Sequence, residues 1–104
     1  MITSNQQVLD LGVLHFGRTY KFKFHLKNEY SHPIKIDKAY GGCSACTTVH
    51  IEKTNIESGE SFDVNVSFTP GSTGMQSKNV YISYSHNLVP FPDLQLKFKG
   101  MVDG

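Results

Sequence analysis

The chain has no tryptophan, two cysteines and four prolines in 104 residues. Without tryptophan, the aromatic mass of any core must come from seven phenylalanines and five tyrosines. Two cysteines allow at most one bridge. Cys43 and Cys46 are so close that it would close a very short loop and stabilise the fold little. Ten Lys and Arg face nine Asp and Glu, a net charge of +1, so no global field draws the chain to nucleic acid or an acidic membrane. No window approaches the roughly 18 apolar residues of a spanning helix. Met1 to Gln7 carries neither a basic stretch nor an apolar one, so no signal peptide is expected. Synthesis in the cytoplasm, where thiols stay mostly reduced, is expected. No stretch repeats its apolar residues at the helical period, and Asn55 to Glu60 has room for one helical turn at most. Gly41-Gly42 precedes a cysteine rather than a strand-to-helix switch, so it is no phosphate loop. The histidines stand beside no Ser and Asp in a triad pattern, and the carboxylates are not paired for acid–base work.

What the sequence does have is a period of two. Tyr20, Phe22, Phe24 and Leu26 alternate with Lys21, Lys23, His25 and Lys27. Phe62, Val64, Val66 and Phe68 alternate with Asp63, Asn65, Ser67 and Thr69, and Leu94, Leu96 and Phe98 with Gln95, Lys97 and Lys99. Ile34 and Ile36, Val80 and Ile82, Val49 and Ile51, and the Val8 to Leu14 stretch supply the rest. Such runs are strands with one buried and one wet face. Gly17, Asn28 to Pro33, Gly41-Gly42, Ser58-Gly59, Pro70 to Gly74 and Asn87 to Pro92 separate them with turn chemistry. About seven short strands predict an all-β sandwich in one domain, residues 1–104, with its core between about 8 and 102.

Several blocks resemble a known family. Leu9-Asp10-Leu11-Gly12 followed by Gly17 resembles its opening, and Phe24 to Asn28 with Pro33-Ile34-Lys35-Ile36 its second and third strands. Cys43 to Thr48 resembles its cysteine segment. Ser58-Gly59-Glu60-Ser61 with Val64 to Pro70 and Gly74 resembles its middle block, and Leu94 to Gly100 its last strand. The family is a bacterial and viral domain of unknown function. It is similar to the immunoglobulin-like domains of the abnormal-spindle/Hydin and major-sperm-protein group. The resemblance runs from Val8 to Val102 and implies an immunoglobulin-like sandwich with no established activity. The chain departs from the family's Cys-Gly-Cys by reading Cys43-Ser44-Ala45-Cys46, and Glu57-Ser58 replaces the usual proline before Gly59.

Each chemical candidate has a plainer alternative. A Cys-x-x-Cys pair serves redox chemistry when its first thiol opens a helix, but Thr47, Thr48 and Val49 are strand formers. A zinc site could take Cys43, Cys46 and His50, with a fourth ligand from elsewhere in the fold. Small buried thiols at a strand corner, bridged or not, are the favoured alternative. The lysine stripes, Lys21, Lys23, His25 and Lys27 on one strand and Lys97 and Lys99 on another, could meet phosphates or an acidic protein. Solvated strand faces are the simpler reading. In an immunoglobulin-like sandwich the two stripes fall in different sheets.

The loop from Ser85 to Pro92 is the best partner-binding candidate. Leu88, Val89 and Phe91 either anchor a partner or fold back to cap the sandwich. The expected function is a non-catalytic interaction or assembly module without cofactor or membrane association. It would have a protein partner, could form homo-oligomers, and could be an accessory or decoration component of a virus particle or a bacterial scaffold. Ranked behind it are a thiol or zinc module at Cys43 and Cys46 and an electrostatic binder of acidic ligands or nucleic acid.

Overall fold

A computed structural model describes residues 1–42 and 46–104. Among them the chain forms ten strands and no helix: β1 (Ile2–Ser4), β2 (Val8–His15), β3 (Tyr20–Asn28), β4 (Ile34–Gly41), β5 (Thr47–His50), β6 (Asn55–Ile56), β7 (Ser61–Phe68), β8 (Gly74–His86), β9 (Val89–Pro90) and β10 (Leu94–Asp103). The seven longer strands contain the alternating runs, but β8 starts at Gly74, well before its alternating Val80 and Ile82, and Ile51 falls just past the end of β5. The other three, β1, β6 and β9, are two or three residues long and too short to show a period. Asn55 to Glu60 is not a helical turn. It is β6 followed by a turn closed by the Glu60 N–H on the Glu57 carbonyl at 3.0 Å.

The strands form two sheets, one ordered β1-β3-β7-β5 and one ordered β2-β10-β8-β4-β6, with β9 added to β8. The N-terminal segment changes sheet: β1 pairs antiparallel with β3, then β2 runs parallel to β10. The alternating residues face each other between the sheets. Phe24, Val64 and Phe68 from one layer meet Val80, Ile82, Leu96 and Phe98 from the other, all 2 % exposed or less. Phe98 meets Phe22 at 4.9 Å and Phe68 at 5.0 Å, both edge-on. This is the arrangement ring quadrupoles favour. The core also reaches past its expected start, because β1 buries Ile2 at 8 % exposure.

The β2–β10 pairing carries an irregularity between Lys99 and Met101. Gly12 sits there at φ +75°, its N–H held by the Asp10 carboxylate at 2.9 Å. A Cβ on Gly100 would lie 2.8 Å from a Leu14 methyl and 3.2 Å from the Gly12 carbonyl. Only glycine lets the two strands approach this closely.

Asn28 closes one end of the sandwich. Its side chain is fully buried. The amide Nδ2 donates to the carbonyls of His32 (3.1 Å), Ile56 (3.2 Å) and Glu57 (3.1 Å), and Oδ1 accepts from the Tyr30 N–H at 3.0 Å. Its main chain adds bonds with Glu60 and Gly59. One side chain therefore ties together the end of β3, the following loop and the β6–β7 connection. Glu60 supports the same turn by accepting the Glu57 N–H at 2.8 Å and pairing with Lys53. The Lys53 hydrogen bond, with the Glu57 amide, lowers the Glu60 pKa from its ordinary value.

Removing Asn28 strands several buried polar groups, each costing about 1–3 kcal/mol when unpaired. Asn28→Ala is expected to lower the unfolding free energy by about 2–4 kcal/mol in urea titration. A loss below about 1 kcal/mol would show that these groups find other partners.

Candidate functional site

The β8–β9 hairpin projects from the end that Asn28 closes. His86 pairs with Val89 and Ser85 with Pro90, leaving Asn87 and Leu88 as a two-residue turn. Both have positive φ, +49° and +66°, the signature of a type I′ turn. Asparagine is at home in the first position, and the second normally calls for glycine. Leucine there is sterically strained, because its Cβ crowds the following carbonyl. Leu88 is 92 % exposed and Val89 62 % exposed.

The hairpin is braced from below by rings. Phe91 turns inward and packs against the core cluster. It stacks on Tyr84 at 5.1 Å and lies 5.0 Å from Tyr30. Tyr30 stacks on His32 at 5.1 Å, and His32 on His86 at 3.8 Å. The Pro33 carbonyl accepts from Nδ1 of both histidines, at 3.1 Å from His32 and 2.8 Å from His86. His86 Nε2 is then left to accept from the Asn87 side chain at 3.3 Å. The Tyr30 and Tyr84 hydroxyls meet at 3.2 Å. Burial first, and then the Tyr30 hydrogen bond, push the Tyr84 phenol above its ordinary pKa.

The three apolar residues singled out in the sequence thus divide. Phe91 folds back over the sandwich, while Leu88 and Val89 stand at the tip. Their supports, Tyr30, His32, Tyr84 and His86, come from two separate parts of the chain. No local spacing marks them as partners. The Asn87 to Pro92 turn chemistry was the only signal for the hairpin.

The remaining candidates lie elsewhere. Cys43 is outside the described residues, and with it the Cys43–Cys46 bridge and the zinc set that includes both. Cys46 is partly buried against the core. His50 is exposed at the far end of β5. Four residue steps of extended chain separate the two, about 13 Å at the strand rise, so β5 does not bring them together. Among the described residues there is no group of three or more His, Cys, Asp or Glu side chains that could hold a metal ion.

The two lysine stripes lie in different sheets, β3 in one and β10 in the other. The β3 stripe is largely neutralised: Asp63 pairs with His25 at 2.5 Å and Lys23 at 3.8 Å, and Glu29 with Lys27 at 3.4 Å. Beside it lies a shallow depression of about 320 Å³ whose lining includes Lys21, Lys23, Thr48, His50, Asn65 and Ser67. These groups are spread over an open strand face and do not converge as an acid–base pair would. No helix of the described residues is long and apolar enough to cross a membrane.

Solved structures share this architecture. The Vibrio cholerae VesB protease superposes with a TM-score of 0.79 at 15 % identity over 96 % of this chain. This chain spans 31 % of the VesB chain. The PapD-like domain 7 of human CEP192 matches with a TM-score of 0.69 and 12 % identity, covering 98 % of this chain and 84 % of that one. SSP-19 of Caenorhabditis elegans, an MSP-domain-like protein, matches at 0.74 and 10 % identity, covering 95 % and 98 %. At such identities the likeness concerns the fold, an immunoglobulin-like sandwich of the PapD and MSP kind. No curated protein matches the sequence. The fold also occurs within the chains of a protease and of a family 123 glycoside hydrolase from Clostridium perfringens, where this chain spans 31 % and 23 % of the length. Residues 2–102 match the family described as protein of unknown function (DUF1573), and the chain belongs to that family.

Proposed function

We propose that this chain is a non-catalytic interaction and assembly module that seats Leu88 and Val89 in an apolar pocket of a protein partner. The observation that carries the reading is Leu88, a large apolar side chain 92 % exposed on a left-handed backbone. Such a conformation costs a non-glycine residue about 1–2 kcal/mol, and burying a leucine returns about 1.5–3 kcal/mol. In the isolated domain the strain stands with little burial to offset it. In a complex the pocket supplies that burial. Strained positions of this kind concentrate at ligand contacts.

The platform beneath favours the same reading. A tip held by stacked rings and the shared Pro33 carbonyl loses little conformational freedom on docking, which raises affinity. Similarity to the PapD-like domain of CEP192 and to the MSP-like SSP-19 fits a module whose work is contact. On this proposal the domain is made in the cytoplasm and then joins a larger body, as an accessory or decoration component of a virus particle or part of a bacterial scaffold.

The tip makes few contacts within the domain, so it can be altered without unfolding the protein. The combined Leu88→Asp and Val89→Asp variant should melt within a few degrees of the unaltered chain. It should weaken capture of the native partner by about 30-fold or more, the effect of losing an anchor worth about 2 kcal/mol. Undiminished capture by the folded variant would overturn the proposal.

A further inference from the structure

The outer face of the six-stranded sheet carries a second apolar feature at the end where β2, β10 and β8 run side by side. Val13 of β2 pairs with Met101 of β10, and Met101 pairs with Met75 of β8. The three form one row across three strands, and they are 65 %, 43 % and 66 % exposed. Their neighbours alternate inward: Leu14 and Val102 are buried. The row is therefore a surface feature on the wet side of the sheet.

Charge is arranged about this row in a particular way. Two residues before Met101 stands Lys99, and two after it Asp103. On β2, Asp10 is paired with Lys99 and His15 with Asp103. Asp103 and His15 also contact each other at 2.8 Å, whereas Lys99 has no ion-pair partner among the described residues. Rotation by 180° about an axis parallel to the row and midway between two stacked sheets leaves each strand over its own copy and reverses its direction. Met101 then faces Met101 once, at the axis, while Lys99 faces Asp103 and Asp10 faces His15, and each of these two pairs occurs twice. On β10 the offset is two residues, about 6.6 Å along the strand, on both sides of the row; on β2 it is two residues to His15 and three to Asp10, the extra residue being taken up at the irregularity beside Gly12. Stacked sheets about 10 Å apart leave room for the flexible methionines to interdigitate.

We propose that this face binds a second copy of the same chain in a symmetric, face-to-face dimer centred on Met101. The free edge of β2 is a poorer route to self-association. There the His15 N–H is bound by the Tyr20 hydroxyl at 2.7 Å and the Gly12 N–H by Asp10, which blunts sheet extension. The patch is only three strands wide, well below the area of stable dimers. The association is accordingly weak and salt-sensitive. It is separate from the β8–β9 hairpin and does not depend on the reading of Leu88.

Sedimentation of the full chain at low salt is the test. The unaltered protein should dimerise reversibly, with a dissociation constant on the order of 100 µM. Lys99→Asp and Asp103→Lys should each weaken it by about tenfold or more, because each replaces attractive pairs with repulsive ones. An equimolar mixture of the two variants should recover a heterodimer, since Asp at 99 of one chain then meets Lys at 103 of the other, and the unaltered Asp103 and Lys99 meet in the second pair. Thermal melts confirm that both variants fold, and Leu88→Asp should leave the dimer intact. A chain that stays monomeric at about 1 mM overturns the proposal. So does a mixture no stronger than its components, or a dimer indifferent to both charge reversals. Binding to vesicles of anionic lipid without self-association would assign the face to a membrane surface and likewise overturn it.

Discussion

The side chain of Asn28, at the end of β3 in one sheet, ties down the loop leading into β4 and the end of β6, which belong to the other sheet. It is fully buried and uses both of its polar atoms, donating to His32, Ile56 and Glu57 and accepting from Tyr30. A buried polar group so fully paired rigidifies its surroundings. The consequence reaches beyond the end of β3. The loop it fixes carries Tyr30, His32 and Pro33, and these are the groups on which His86 and Phe91 rest. The orientation of the hairpin thus follows from a hydrogen-bonded residue on another strand.

Between the sheets, the ordinary rule of alternating burial does the rest. The runs Tyr20 to Lys27, Phe62 to Thr69 and Leu94 to Lys99 could be read as strands because every second residue is apolar, and their inward sets are the ones that meet in the core. The first half of β8, Gly74 to Lys78, was not legible, since its residues are mostly polar or flexible. It is held there by its register with β10. Nor was β1, whose single buried residue, Ile2, gives no period. The separation of the two lysine stripes followed from the immunoglobulin-like layout once that was inferred from resemblance. Their pairing with Asp63 and Glu29 depends on cross-strand and loop geometry.

The candidate site was legible only as a stretch. Apolar residues between turn formers marked Ser85 to Pro92, but nothing local distinguished Phe91, which folds inward, from Leu88 and Val89, which do not. That division is made by rings arriving from the Asn28 to Pro33 loop and by the turn dihedrals. The apolar row of Val13, Met101 and Met75 was hidden for the same reason. Its members are far apart in sequence and become neighbours only through the β2–β10–β8 pairing.

The central claim is that the domain holds Leu88 in a strained turn for a purpose outside itself. Equilibrium unfolding of Leu88→Gly tests this most directly. Glycine accepts the left-handed backbone freely, and its greater freedom in the unfolded chain takes back part of that gain. The account predicts a variant as stable as the unaltered protein or more stable by up to about 1 kcal/mol. A loss of about 1 kcal/mol or more would show that Leu88 serves the packing of its own fold, contradicting the account.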